Sequence, residues 1–369
     1  MLLKKLSEAS GVSGREEEVR AVILSEIREH VDECRIDGIG NLIARKRGTG
    51  GSPLRVLVAA HMDEIGLMVS QVEDGGALRF FKVGGIDDGI LPAKTVLIGP
   101  KRVPGVVGFK PVHLMEKGER DQVVGWKQLA IDIGATGKAE AEKLVQRGDC
   151  AVFAGEFIEL ARPGSQWRTV QGKAFDDRAG CALLIALLAE RYPFDLSAAF
   201  TVQEEIGTRG ARVAAYAEDA DFAFVLECTG ANEAPDPKDR NPSTRLGSGP
   251  AITIMDNSFM ADRRLVDLLA RSAEGLKIPF QYKQPGIGGT DAGAIHTSRE
   301  GIPSVTVAVP CRYIHAPHSI LNLNDFDDTL TLMKETLKRL PDRLGDSPRR
   351  RKESTRVPHG EGRLKRSTP

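Results

Sequence analysis

The chain of 369 residues is 41% hydrophobic and 28% charged, ample for a large buried core and ordinary for a globular protein. Lys plus Arg and Asp plus Glu both total 51, which gives no footing to a nucleic-acid or acidic-membrane partner, and no apolar run nears the roughly 20 residues needed to span a bilayer. Five scattered cysteines (Cys34, Cys150, Cys181, Cys228, Cys311) without a C-x-x-C pair, and an N-terminus without an apolar leader, argue against a disulfide framework or structural zinc site and for the cytoplasm.

The first thirty residues predict a helix entered through SGVSGREEEVR, with Ser13 as N-cap and Glu16 to Glu18 at the positive end of its dipole. A strong strand signal runs from Val56 to Ser70, but His61, Asp63 and Glu64 interrupt it where the pattern calls for core. Burying such groups costs several kcal/mol unless they are paired or bind a metal. Short β-like pieces (LRFFKVGG, TVLIGP, VPGVVGF, CAVFAGEFIEL) separated by Gly, Pro and Asp turns then predict an inserted β-rich unit. From Trp167 onward helices and strands alternate: a helix over Ala179–Arg191, LSAAFTVQEE, DFAFVLECT, a helix over Asp262–Leu276, PSVTVAVP and a last helix over Asp325–Leu340. That alternation predicts an α/β fold with a mostly parallel sheet covered by helices on both faces. The expected division is a discontinuous α/β domain (1–70 and 167–345), an inserted β-rich domain (71–166) and a basic, disordered tail (346–369).

Five segments carry ionisable groups to strand ends or helix starts: HMDE (61–64), AFDDR (174–178), VQEE (202–205), LECT (226–229) and CRYIHAPHS (311–319). In a parallel sheet the carboxyl ends of the strands line one crevice, where ligands bind. Crowded carboxylates repel one another and call for a cation. Histidine and carboxylate without thiolate suit Zn²⁺, Co²⁺ or Mn²⁺, and the ligand count suits two ions sharing a carboxylate. Asp63 is two residues from His61 on an extended chain, so it is placed to steady the ring. In VQEE, one carboxylate can ligate while the other stays free as a general base. Taken singly, each signal has a plainer reading: H-x-D after a strand is common, EE is often a solvated edge, and DD before a helix is usually an N-cap. Glu64 either faces solvent or braces a neighbouring loop.

HMDEIGLMV, GKAFDDRAG, TVQEEIGTRGA, the ECT segment, GGTDAGAIH and RYIHAP occur in the order found in the M42 family of metallo-aminopeptidases, the TET-type enzymes, some of them labelled endoglucanases. The chain resembles that family from SGVSGRE to the last helix. The resemblance implies a zinc-peptidase-like catalytic domain and release of N-terminal residues from peptides. It implies one ion on His61, Asp176 and Glu227, a second on Asp176, Glu205 and His315, and Glu204 as general base toward the attacking water. It further implies Asp63 orienting His61, Asp291 shaping the substrate site, Zn²⁺ or Co²⁺ as the ions, and a dodecamer built from dimers through the inserted domain. Many relatives have Asp at the position of Glu227, and Glu is still a competent ligand. His318, three residues after His315, either contacts substrate or is an ordinary surface residue. Leucyl, glutamyl and lysyl activities all occur in the family, which leaves side-chain preference open. Two rivals are glycoside hydrolysis, for which two Trp and four Tyr are few for a sugar-stacking cleft, and a non-catalytic binding protein, whose mark would be a lost base or ligand.

Overall fold

The computed structural model describes residues 1–344 apart from 117, 119, 120, 161–163 and 234–241; the tail expected over 346–369 lies outside the described residues. Eleven described strands form one large sheet. Its centre is four parallel strands in the order Asp195–Thr201, Arg55–His61, Phe222–Gly230 and Ser304–Arg312. These are the apolar runs that the sequence marks as strands, and their residues are buried on both faces. Val56, Val58 and Ala60 pack into a core beneath the helices Phe175–Leu188, Arg263–Leu276 and Leu323–Leu344. Leu57 and Ala59 point the other way, into a smaller core with the helices Arg209–Glu218 and Asp291–Ile295. Period-two alternation therefore puts His61 on the second face, in line with Leu57 and Ala59, and Glu227 in line with Ala223 and Val225.

The sheet is mixed rather than mostly parallel. Glu33–Ile36 and Leu42–Lys46 pair antiparallel on one side, and Ser319–Asn322, Thr169–Gly172 and Ile158–Glu159 on the other. Short connections explain the difference: Asp37–Asn41 and Tyr313–His318 are too brief for the crossover that parallel pairing requires. The N-terminal region is also two helices, Leu2–Glu8 and Glu17–Ile27, instead of one. Ser13 is not the N-cap; Glu16 stands at that position, and the Ser13 hydroxyl donates to Asp63 Oδ2 at 2.6 Å.

The signal from Val56 to Ser70 is two strands in two sheets. Arg55–His61 ends in the large sheet, and Gly66–Val72 begins a closed barrel with Leu78–Val83, Ala130–Asp132, Val103–Gly108, Thr95–Ile98 and Cys150–Phe153. The barrel has its own core, including Leu67, Phe80, Val96, Val107, Ile131 and Phe153. Gly66 sits where barrel meets N-terminal segment; a Cβ there would lie 2.5 Å from Val12 Cγ2 and 2.8 Å from the Ala151 carbonyl. No described helix is long and apolar enough to cross a membrane.

Phe224, fully buried in the middle of the central sheet, tests this packing. Phe224→Ala is expected to lower stability by about 3–5 kcal/mol, read as a fall in the urea midpoint with unchanged slope; an unmoved midpoint would contradict the packing.

Candidate metal centre

His61 ends its strand 2% exposed. Its Nδ1 faces the Asp63 carbonyl oxygen at 3.1 Å and the Asp63 carboxylate at 3.5 Å. Its Nε2 faces Asp176 Oδ1 at 3.2 Å, Glu227 Oε2 at 3.6 Å and Glu204 Oε2 at 4.0 Å. The nearest acceptor for Nδ1 is thus backbone, and the Asp63 carboxylate is chiefly occupied elsewhere. It accepts from Ser13 Oγ and from the backbone N–H groups of Glu204 (2.9 Å) and Glu205 (3.2 Å). Asp63 so anchors the turn that follows Asp195–Thr201. Gln203 in that turn has φ +57°, and its N–H donates to Glu16 Oε1 at 3.2 Å. The two adjacent glutamates then diverge: Glu204 toward His61, Glu205 toward His315 at 3.5 Å.

The two aspartates of AFDDR take different tasks. Asp176 and Asp177 are non-helical. Asp177 accepts from the N–H of Gly180 (2.9 Å) with one oxygen and from the N–H of His61 (3.2 Å) with the other. The first of these bonds is that of an N-cap, satisfying an orphan N–H of the helix behind it. Asp176 instead gives Oδ1 to His61 and Oδ2 to His315 Nε2 at 3.4 Å. His315, at φ +58°, has its Nδ1 3.0 Å from the Gly85 carbonyl, so a barrel loop steadies the second ring. Gly85 must be small there, since a Cβ would stand 3.1 Å from that ring.

Two triplets bring one ligand atom each to within 4.8 Å of one another: His61, Asp177 and Glu227, and Asp176, Glu205 and His315. Asp177 enters the first triplet by distance, but backbone N–H groups already hold its oxygens, whereas Asp176 faces both rings. Glu204 belongs to neither triplet. Asp291 is buried, accepts from Thr201 Oγ1 at 2.5 Å and leaves Oδ1 without a partner among the described residues. His318 stands outside both triplets, its ring over Gly155. Cys228, beside Glu227, donates its thiol to the Phe175 carbonyl and is buried.

The charges explain why this arrangement suits a cation. Burial pushes the carboxyls of Glu227 to about 8, Glu205 to about 7 and Asp291 to about 6, with neighbouring carboxylates adding to the shift. Glu204 and Asp177 are also pushed well up by burial and by Glu227. Asp176 moves down: burial opposes its charge, but hydrogen bonds from His315 and His61 outweigh it. Burial likewise opposes charge on the rings, yet Glu227 and Asp176 raise His61, and Asp176 and Glu205 raise His315 to about 9. Protons thus neutralise a cluster that N- and O-bound divalent ions would neutralise better, and the donor set fits such ions. Sequence reasoning missed Ser13 as a partner of Asp63 and Glu16 as a partner of Gln203; both contacts join segments remote in the chain and leave no spacing pattern, whereas Asp177 takes the N-cap reading given for DD before a helix.

Residues 40–332 match the family model described as M42 glutamyl aminopeptidase. A lysyl aminopeptidase of Pyrococcus furiosus is 33% identical, covering 92% of this chain and 96% of that protein. A glutamyl aminopeptidase of Lactococcus lactis is 30% identical over 92% and 95%. Among solved structures, a TET aminopeptidase from the marine-sediment archaeon Thaumarchaeota archaeon SCGC AB-539-E09 is similar with TM-score 0.87 at 36% identity, covering 92% of this chain and 95% of that one. A TET1 peptidase of Pyrococcus horikoshii, titled as assembling into a tetrahedron or a large octahedral shell, gives TM-score 0.79 at 35% identity over 91% and 98%.

Glu16 supplies a pH test of the turn it supports. Burial raises its carboxyl from 4.5 to about 7, against the N–H groups of Gly14 and Gln203. The folded pKa lies above the unfolded one, so this group's stabilisation is full below about 4.5 and is lost as pH rises toward about 7. Glu16→Gln is expected to flatten the fall in urea midpoint between pH 5 and pH 7, roughly that window. An identical slope in wild type and variant would refute the assignment.

Proposed function

The chain belongs to the M42 aminopeptidase family, and from that premise we propose that it hydrolyses N-terminal peptide bonds with two divalent ions and a glutamate base. The observation that carries this reading is Asp176 set between His61 and His315, with Glu204 beside them and in neither triplet. His61, Asp176 and Glu227 would hold one ion and Asp176, Glu205 and His315 the other, with Zn²⁺ or Co²⁺ the best match to these donors. Ions held there would offset the carboxylates and supply Lewis acidity toward a carbonyl and a water.

The protein's own groups do the rest. Glu204 Oε2 takes a proton from the attacking water and returns it to the leaving amine, a shuttle that needs a carboxylate not committed to a ligand position. Asp63 fixes the turn that carries Glu204 and Glu205 by accepting from both of their N–H groups. Asp291, with one buried oxygen that has no partner among the described residues, is assigned to the substrate side of the site, and His318 to its periphery. The reading takes the barrel, whose strands run from Gly66–Val72 to Cys150–Phe153, as an oligomerisation domain inserted in the catalytic unit; the expected bounds of 71–166, between catalytic parts 1–70 and 167–345, start inside Gly66–Val72 and take in Ile158–Glu159 of the large sheet. It also takes the protein to be cytoplasmic, in keeping with five free cysteines, and a dodecamer built from dimers. Its substrates are peptides, with no nucleic acid or membrane partner.

Glu204→Gln is expected to retain bound metal and lose about 10²–10⁴-fold in kcat on unblocked peptides, while N-acetylated peptides resist both proteins. Full activity in the variant would remove Glu204 from the base role, and cleavage of blocked peptides would remove the aminopeptidase reading. Sedimentation should give a dodecamer of the 40.0 kDa chain; a monomer at micromolar concentration would sink the assembly proposal.

A further inference from the structure

Glu64 closes the HMDE segment and is not part of either triplet, yet it is 3% exposed. Its Oε1 accepts from Lys173 Nζ at 2.7 Å, from Arg178 Nη2 at 3.1 Å and from the Gly11 N–H at 3.1 Å. Its Oε2 accepts a further bond from Lys173 Nζ at 2.8 Å. The two cations are buried as deeply as the carboxylate and also bond to backbone carbonyls. Lys173 also donates to the Ala9 carbonyl, and Arg178 donates to the carbonyls of Met62, Leu6 and Ala9. A Cβ at Gly11 would lie 2.7 Å from Arg178 Nη2, so the N-terminal segment closes over this cluster without slack.

Lys173 and Arg178 are the two ends of one short stretch, Ala174 to Asp177. Inside it Ala174 has φ +53°, a left-handed conformation that non-glycine residues rarely adopt. Asp176 and Asp177 are also non-helical there. Both flanks of this stretch are fastened to one buried carboxylate. That carboxylate belongs to the segment carrying His61, the ring that Asp176 must meet at 3.2 Å.

We infer that Glu64 is a positioning residue for the proposed metal centre: through Lys173 and Arg178 it fixes the backbone of Ala174–Asp177 so that Asp176 presents one oxygen to each histidine. A buried carboxylate bonded to two buried cations contributes little net stability compared with an apolar replacement. It does join the His61 and Asp176 segments in one register, which apolar contact alone specifies less sharply. The inference rests on the metal reading above.

The test is Co²⁺ titration of metal-free wild type and Glu64→Gln, followed by calorimetry and by the visible spectrum of bound Co²⁺, with circular dichroism as the check of folding. A folded Glu64→Gln protein is expected to bind Co²⁺ about 10–100-fold more weakly, with an altered spectrum. Wild-type affinity and spectrum in that variant overturn the inference, whatever its thermal stability. Should Glu64→Gln fail to fold, Lys173→Met decides. It leaves Glu64 and Arg178 as a one-to-one pair and releases only one end of the stretch. Weakened binding with an altered spectrum supports the inference there, and wild-type behaviour overturns it. Failure of the wild type itself to take up two ions would overturn the metal reading, and this inference would fall with it.

Discussion

The site turns on one carboxylate with two obligations. Asp176 gives Oδ1 to His61 and Oδ2 to His315, rings carried by segments more than 250 positions apart in the chain. Everything nearby meets the conditions this sharing sets. His61 must end a central strand, His315 must leave the neighbouring edge of the parallel core, and Asp176 must arrive from the start of a helix on the opposite face. Parallel pairing makes this possible because it brings the strands' carboxyl ends to one edge. The sheet is parallel in its four central strands, and the site lies at their ends.

Crowding is the second condition. Buried carboxylates at this density raise one another's proton affinity, and the histidines answer by holding protons of their own. The protein sorts the acids by where their other bonds go. Asp177 is held by backbone N–H groups, Asp63 by Ser13 and the turn at Glu204, Glu64 by two buried cations. Glu204, Glu205 and Glu227 have no such prior engagement among the described residues and face the histidines. The barrel contributes as well: its Gly85 carbonyl meets His315. The linking segment Met62–Ile65, which joins sheet to barrel, therefore also carries Asp63 and Glu64, so the path of the chain and the layout of the site are one problem.

Much of this was legible beforehand. Apolar runs such as FAFVLECT and PSVTVAVP marked central strands because strands buried on both faces read as continuous hydrophobic segments. The charged residues ending them were visible as breaks in that pattern, which is why the segments HMDE, VQEE, LECT and CRYIHAPHS could be proposed together, while the choice of His61, Glu204, Glu205, Glu227 and His315 within them came from the family resemblance. The edge strands were not legible. Glu33–Ile36 is exposed throughout and has no buried face to give it a period. Nor was the division of Val56–Ser70 between two sheets, since a strand that changes partner keeps the same alternation.

By itself the sequence determined which side chains could bear the chemistry, because ionisable residues in apolar runs have few other uses, and it determined the order in which the chain presents them. The family resemblance named Asp176, Glu204 and Glu205 for their tasks, but only the tertiary structure decided what each of the paired acids faces. Asp176 and Asp177 are chemically identical, as are Glu204 and Glu205. What separates them is whether a backbone N–H or a histidine ring lies within 3–3.5 Å, and that distance is set by contacts between segments remote in the chain. For Glu64, a loop brace and a solvated acid read alike until Lys173 and Arg178 fold in around it.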